Sequence, residues 1–384
     1  EFIYGDIIMT PYVDGQYSST FPEKKTGINV EKVVCDNGVT ASWNEDKWGL
    51  YATNLSKRTK CSVYFVTTAS CGINDNVSCI NSREGLATLA NEVNNGDNKS
   101  GKIIYLTSDL DLGGKFDSDG NALDGNISWT PIGKESNPFS GTFDGNGHII
   151  SNMYINWDSA AALFGTIQNA SLRNLGIKNS YIKSNNSIAA SLSYTSIISK
   201  ISGIYTNNII NGQKFSAGLI GNSSKSIISN CYNMGNVNSN EIQFGAGIIG
   251  YLGDANSILK NCYNYGKVSG GVHSGGIVGG LVGKLFNTYN LGEVRSDVIS
   301  GGIVGQLYIP SYPEVHNSYN YKNVQTGGGV IGQLYGTTGG YTIKENYYLS
   351  GTASSGISTG GSNEGAEPLS QEEMPSVISV INGD

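Results

Sequence analysis

Side chains able to do acid–base, nucleophilic or metal chemistry are few and unevenly spread over this 384-residue chain. The three histidines, His148, His273 and His316, are followed by Ile149, Ser274 and Asn317. The His-Glu-x-x-His pattern that sets two zinc ligands on one helical face is therefore absent. The densest acidic group is Asp109, Asp111, Asp117, Asp119, Asp124 and Asp144, with His148 close by in sequence. A polysaccharide-cleaving site needs such carboxylates to converge on one groove; solvated turn carboxylates are the preferred reading. Within the group, Asp117-x-Asp119-x-Asn121 imitates the first ligands of a calcium loop. Ala122 stands where Gly is needed, however, and Ser128 where Glu is needed. Ca2+ at Asp117, Asp119 and Asn121 is the one metal considered, and no other cofactor is expected. Past Asp158 acidic residues are scarce, so no catalytic residue is expected and the chain is read as a non-enzyme.

The six cysteines form two groups. Cys35, Cys61, Cys71 and Cys79 lie in the first eighty residues. They pair most simply as Cys35–Cys61 and Cys71–Cys79, although three connectivities, or four reduced thiols, are compatible with the sequence. Cys231 and Cys262 occupy the same repeat position and should stack in a core as small apolar groups, since a metal would lack its other ligands. The tyrosines carry the strongest binding signal. Tyr205, Tyr232, Tyr263, Tyr289, Tyr319 and Tyr348 align at one position of six successive repeats. Leu175, Ile204, Cys231 and Cys262 precede that position and should point inward, so strand alternation turns the tyrosines outward as a ladder. Such a ladder either supports the sheet alone or presents an aromatic strip to glycan rings or to a host or cell-surface protein.

The elements that position these residues follow from an internal repeat. A five-residue block runs Ala161-Ala-Leu-Phe-Gly165, Ala189-Ala-Ser-Leu-Ser193, Ala217-Gly-Leu-Ile-Gly221 and Ala246-Gly-Ile-Ile-Gly250. It continues as Gly275-Gly-Ile-Val-Gly279, Gly301-Gly-Ile-Val-Gly305 and Gly328-Gly-Val-Ile-Gly332, in steps of 26 to 29 residues. A second block travels with it: Asn230-Cys-Tyr-Asn233, Asn261-Cys-Tyr-Asn264, Asn287-Thr-Tyr-Asn290, Asn317-Ser-Tyr-Asn320 and a decayed Asn346-Tyr-Tyr. No unit holds an amphipathic helical stretch, and each is too short for a propeller blade. Three short strands per unit suit one coil of a parallel β-helix, in which each position stacks on itself about 4.8 Å away. Leu86, Leu89, Ala90 and Val93 have helical spacing over 81–95, with Asn81 and Glu84 as a capping box, which predicts a helix covering the first coil. Lys102–Leu106 then reads as the first coil strand. Residues 351–364 read as a Gly/Ser-rich tail, and Ser370 with Glu373 opens a short closing helix.

Residues 1–80 share none of these periods. Val33–Cys35, Val39–Trp43, Trp48–Tyr51 and Cys61–Val66 read as strands of a small β-sandwich-like domain, with Asn37-Gly38 as a hairpin turn joining the first two. The expected organisation is a small β domain over 1–80, a right-handed parallel β-helix over 81–350, and a tail with a short capping helix over 351–384. The fold class is all-β.

The Gly-Leu/Ile-x-Gly core, with its accompanying Asn-Cys-Tyr-Asn-x-Gly block over about 161–335, resembles the GLUG-motif repeat of Gram-positive bacterial surface proteins. That repeat is also found beside the catalytic domains of IgA-cleaving metallopeptidases. Trp129-Thr-Pro-Ile-Gly133 and the segment from Pro138 to Ile150 are similar to the coils that precede such repeats. The resemblance implies a right-handed β-helix and an exported protein, and it implies no catalytic residues.

The remaining composition excludes partners rather than naming them. With 24 basic and 31 acidic residues and no basic patch, a nucleic-acid partner is not expected. No apolar run is long enough to cross a membrane as a helix. The abundance of Gly (53) with only 8 Pro excludes collagen. The chain opens at Glu1 without a signal peptide and is read as trimmed. A monomeric, extracellular or cell-surface adhesin-like protein is expected, presenting a repetitive face to glycan or host protein. The alternatives are a carbohydrate-active β-helix lyase or hydrolase, and a non-catalytic region of a larger secreted hydrolase.

Overall fold

Runs of two to five β-forming residues, broken by Gly, Asn and Ser, make strands too short to persist alone; stacking identical coils lets each strand satisfy its backbone on two neighbours. The computed structural model describes residues 2–9, 17–20, 28–35, 41–44, 49–52, 59–67, 71, 75–239 and 243–375. The chain divides into two units, Glu1–Cys79 and Ile80–Asp384.

The first unit contains two three-stranded antiparallel sheets. Thr59–Thr67 lies between Phe2–Met9 and Ile28–Cys35 in one. Gly49–Ala52 lies between Tyr17–Thr20 and Ala41–Asn44 in the other. The expected Asn37-Gly38 hairpin is overturned in its outcome. The turn itself lies outside the described residues, but its flanking strands belong to different sheets. Residues 28–35 take the nine-residue strand 59–67 as partner instead, a longer ladder than the four-residue strand 41–44 can offer. That register sets Cys35 opposite Cys61, and Cys35 is disulfide-bonded. Cys71 and Cys79 form a second disulfide, with Cα atoms 5.5 Å apart.

The second unit is a parallel β-solenoid of about 10 turns. One coil runs Ile227–Ser229, Tyr232–Asn233, Val237–Ser239, Phe244–Ala246 and Ile249–Leu252. Each piece pairs in parallel with its counterpart in the next coil, as in Ile228↔Leu259, Val237↔Val268 and Ile249↔Val278. Two earlier coils join these pieces into the long strands Ser171–Ser184 and Lys200–Gly212. The strand that begins near the end of each five-residue block belongs to a separate seven-stranded sheet, from Phe164–Gln168 to Ile331–Tyr335. Columns such as Leu172, Ile201, Ile228, Leu259, Leu285 and Val315 fill the interior with side chains 0–1% exposed.

The helix spans Arg83–Asn94, and its buried Leu86, Leu89, Ala90 and Val93 share one apolar cluster with Ile104 and Leu106. Its N-cap is Ser82 rather than Asn81: the Ser82 hydroxyl accepts from Gly85 N–H at 3.1 Å, while the Asn81 carbonyl accepts from Ser108 Oγ. The solenoid also runs past the expected limit at 350. Asn346–Leu349 pairs in parallel with Ala366–Leu369, and Ile331 bridges Ile357, so the Gly/Ser-rich stretch is the turn of a further coil. Ser370 and Glu373 hydrogen-bond reciprocally, N–H to side chain, as a capping box does. Most of the closing helix expected after them lies outside the described residues.

Candidate functional site

The outward face of the Asn-x-Tyr-Asn strand carries the tyrosine ladder. Tyr205, Tyr232, Tyr263, Tyr289 and Tyr319 are register partners in five consecutive coils. Their rings stack nearly parallel, with successive centroids 5.4, 4.8, 4.7 and 5.0 Å apart and interplanar angles of 4–12°. Below Tyr205 the column holds Gly176, where a Cβ would collide with the tyrosine ring, so the first ring lies over bare backbone.

The sixth expected rung is wrong by one residue. Tyr319 pairs with Tyr347, whereas Tyr348 pairs with Asn320 and is buried in the core. The strand lacks its leading Asn: Glu345 takes the left-handed position (φ 57°) held by Asn230, Asn261, Asn287 and Asn317 in the other coils. Everything after it shifts by one place relative to an alignment on Asn346.

Stacking also decides which parts of the rings are available. A face-to-face column spends its ring faces on neighbouring rings, so the ladder offers mainly ring edges and phenol hydroxyls. Burial, followed by the neighbouring phenols, pushes Tyr263 up to about 12, and burial foremost does the same for Tyr319. Tyr289 is pushed higher still, chiefly by burial. At neutral pH the strip is a row of protonated donor–acceptor hydroxyls and holds no base.

Behind the tyrosines stands a second ladder that the sequence reading left unassigned, although its residue closes each of the four full copies of the second block. Asn233, Asn264, Asn290 and Asn320 point inward and are 0–1% exposed. The first three donate to the next coil's asparagine: Asn233 to Asn264 and Asn264 to Asn290 at 2.9 Å, Asn290 to Asn320 at 2.8 Å. All four donate to the carbonyl two residues on, at 2.7 Å, as Asn233 does to Gly235. The ladder packs against Gly218, Gly247, Gly276 and Gly302, where any Cβ would meet both an asparagine amide and the next coil's carbonyl. This close approach accounts for the glycine inside the five-residue block. Cys231 and Cys262 are fully buried and free, as stacked core positions should be; Cys231 N–H approaches Cys262 Sγ at 3.4 Å.

The acidic group does not converge. Asp144 is fully buried, paired with Arg173 Nε at 2.8 Å and accepting from Asn174 Nδ2 and Asn146 N–H. Asp109 accepts from Ile149 N–H and lies 3.1 Å from His148 Nδ1. Asp117 accepts from the Asn121 amide and from the N–H groups of Asn121 and Asp119 in its own turn, and the Asn121 amide above all holds its carboxyl below the usual range. Among the described residues no three His, Cys, Asp or Glu side chains are grouped as metal ligands.

A further feature went unread in the sequence: an open cleft of about 380 Å³ lined by Phe215, Gln243, Phe244, Tyr251, Val272, His273, Gln306 and Tyr308. Phe215, Phe244 and His273 form one register column. Tyr251 lies on the adjoining sheet, its ring 5.7 Å from Phe244 and 6.1 Å from Phe215 at 13° and 16°. Tyr308 meets Tyr251 edge-on at 5.7 Å and 78°. Gln306, 5% exposed, donates to Gln333 Oε1 at 2.6 Å, and its amide nitrogen lies 3.3 Å from His273 Nε2. Burial holds the His273 imidazole below its usual value, keeping it neutral near pH 7. The 29-residue spacing of Phe215 and Phe244, equal to the block step in that coil, was the available signal.

No family model and no curated protein matches this chain, so its GLUG likeness rests on the residue pattern alone. Solved structures do resemble it. One is a chain from Bacteroides ovatus provisionally named an immunoglobulin A1 protease; it is 19% identical, matches 81% of this chain and 89% of its own, and superposes with a TM-score of 0.50. Another is named an IgA1 protease; it is 15% identical over 84% of this chain, with a TM-score of 0.48, and this chain spans 25% of its length. At 19% identity the likeness to the Bacteroides ovatus chain is one of fold.

Proposed function

We propose that the chain is a non-catalytic, exported β-solenoid that displays a tyrosine-edged face to a glycan or a host protein. The observation that carries this reading is the register-matched ladder Tyr205–Tyr319, of which Tyr205, Tyr232, Tyr263 and Tyr289 are half-buried on the outer side of the strand and Tyr319 is covered. Solenoid faces suit extended ligands because stacking lengthens a surface without closing a pocket. The disulfide of Cys71 with Cys79 and the bonded Cys35 support an oxidising, extracellular or cell-surface location. The name of the Bacteroides ovatus neighbour suggests a place within a peptidase-type protein, and the missing His-Glu-x-x-His and the dispersed carboxylates favour a region that does not itself cleave.

The test uses the whole chain against immobilised immunoglobulin A1 and a glycan array. Binding should be lost in the double variant Tyr263→Phe/Tyr289→Phe, which deletes two central hydroxyls while keeping both rings. Retained binding would remove the ladder from the reading, and cleavage of the immunoglobulin by the wild-type chain would overturn the non-catalytic assignment.

A further inference from the structure

We propose that the cleft between Tyr251 and Tyr308, floored by Phe244 and Gln306, is a binding site for a neutral saccharide, separate from the tyrosine ladder. Three features point to that chemistry. Tyr251 and Tyr308 meet at 78°, so one ring can stack on the apolar C–H face of a pyranose while the other closes its side. Gln243 and Tyr308 bring an amide and a phenol that match hydroxyls as both donors and acceptors, and Gln306, its amide nitrogen engaged by Gln333 and His273, adds its carbonyl oxygen as an acceptor. Among the described residues the lining holds no acid, lysine or arginine, a composition suited to an uncharged ligand.

The site is also built in advance. Gln306 is held from two sides by Gln333 and His273, and Tyr251 packs parallel to Phe244 and Phe215, which fixes the ring on which a sugar would rest. Sites with held side chains lose little entropy on binding, which favours a small rigid ligand such as a mono- or disaccharide. The cleft volume of about 380 Å³ lies in the range of small-molecule pockets.

Saturation-transfer NMR on the full chain tests this with methyl glucoside, methyl galactoside, N-acetylglucosamine and lactose. Galacturonic acid and a tryptophan-containing tripeptide serve as competitors. At least one neutral sugar should take saturation on its ring C–H protons. Tyr251→Leu and Gln306→Ala should each weaken that sugar's binding by about tenfold, the worth of a single good contact. Tyr312→Phe, an exposed position outside both sites, should leave it unchanged, whereas transfer lost in Tyr263→Phe/Tyr289→Phe and kept in Tyr251→Leu would move the sugar to the ladder and overturn the cleft. Circular dichroism melting of Tyr251→Leu confirms folding, and Gln306→Ala provides the second reading if that variant unfolds. Absence of transfer to every neutral sugar overturns the proposal, as does stronger binding of the acid or of the tripeptide. Binding indifferent to both substitutions also overturns it.

Discussion

At the residue scale the tyrosine ladder has a titration signature. A phenol whose pKa in the folded chain lies above its unfolded value near 10 favours the folded state fully below about pH 10. That contribution is lost as pH rises towards the folded value. With Tyr263 and Tyr319 raised to about 12 and Tyr289 raised further, the window is roughly pH 10 to 12 and beyond. Absorbance at 295 nm should therefore show the ladder phenols Tyr263, Tyr289 and Tyr319 ionising late, well above pH 10 and together with unfolding. Ladder tyrosines ionising near pH 10, before any unfolding, would contradict the stacked arrangement. Replacing Tyr263 and Tyr289 by Phe should leave the melting temperature nearly unchanged. Replacing both by Ser should lower stability by about 1–3 kcal/mol, because each ring loses stacked neighbours on both faces.

At the scale of the element, the asparagine ladder defines the coil. Asn264 donates to Gly266 and Asn290 and accepts from Asn233 and the Gly266 N–H, so its amide is saturated within a dry interior. Asn264→Ala leaves several of those partners buried without a bond, at roughly 1–3 kcal/mol for each unsatisfied group. The expected loss in chemical denaturation is about 3 kcal/mol. Gly247→Ala should be comparably damaging, since the new methyl meets Asn264 and the Gly276 carbonyl. An exposed position in the same coil, such as Tyr265→Ala, should cost far less. Equal losses at all three sites would mean that the ladder is not what aligns the coils.

At the scale of the molecule, a solenoid is a chain of nearest-neighbour interfaces, so damage at one end should stay near that end. Leu86, fully buried in the helix, packs into the cluster that contains the first coil strands. Leu86→Ala should cost about 2–5 kcal/mol of local stability. Hydrogen exchange should then accelerate over Ile103–Leu106 and Thr142–Asp144, while Ile331–Tyr335 stays protected. A uniform rise along all coils would argue for one cooperative unit instead.

What the sequence determined by itself is the repeat and most of what the repeat implies. Coil length, the inward Cys231 and Cys262, the outward tyrosines and the helix over Arg83–Asn94 are local patterns, and a period is visible without knowing any contact. The tertiary structure alone decided register and occupancy. Tyr347 displaces Tyr348 because hydrogen-bonded pairing, not residue identity, sets which positions stack. The strand 28–35 finds its partner some thirty residues away rather than across Asn37-Gly38, because the longer ladder satisfies more backbone. The ring faces of the tyrosines are spent on each other, and the cleft at Tyr251 combines residues of two sheets. Such features arise where separate coils meet, and one-dimensional spacing carries no record of which surfaces end up facing each other.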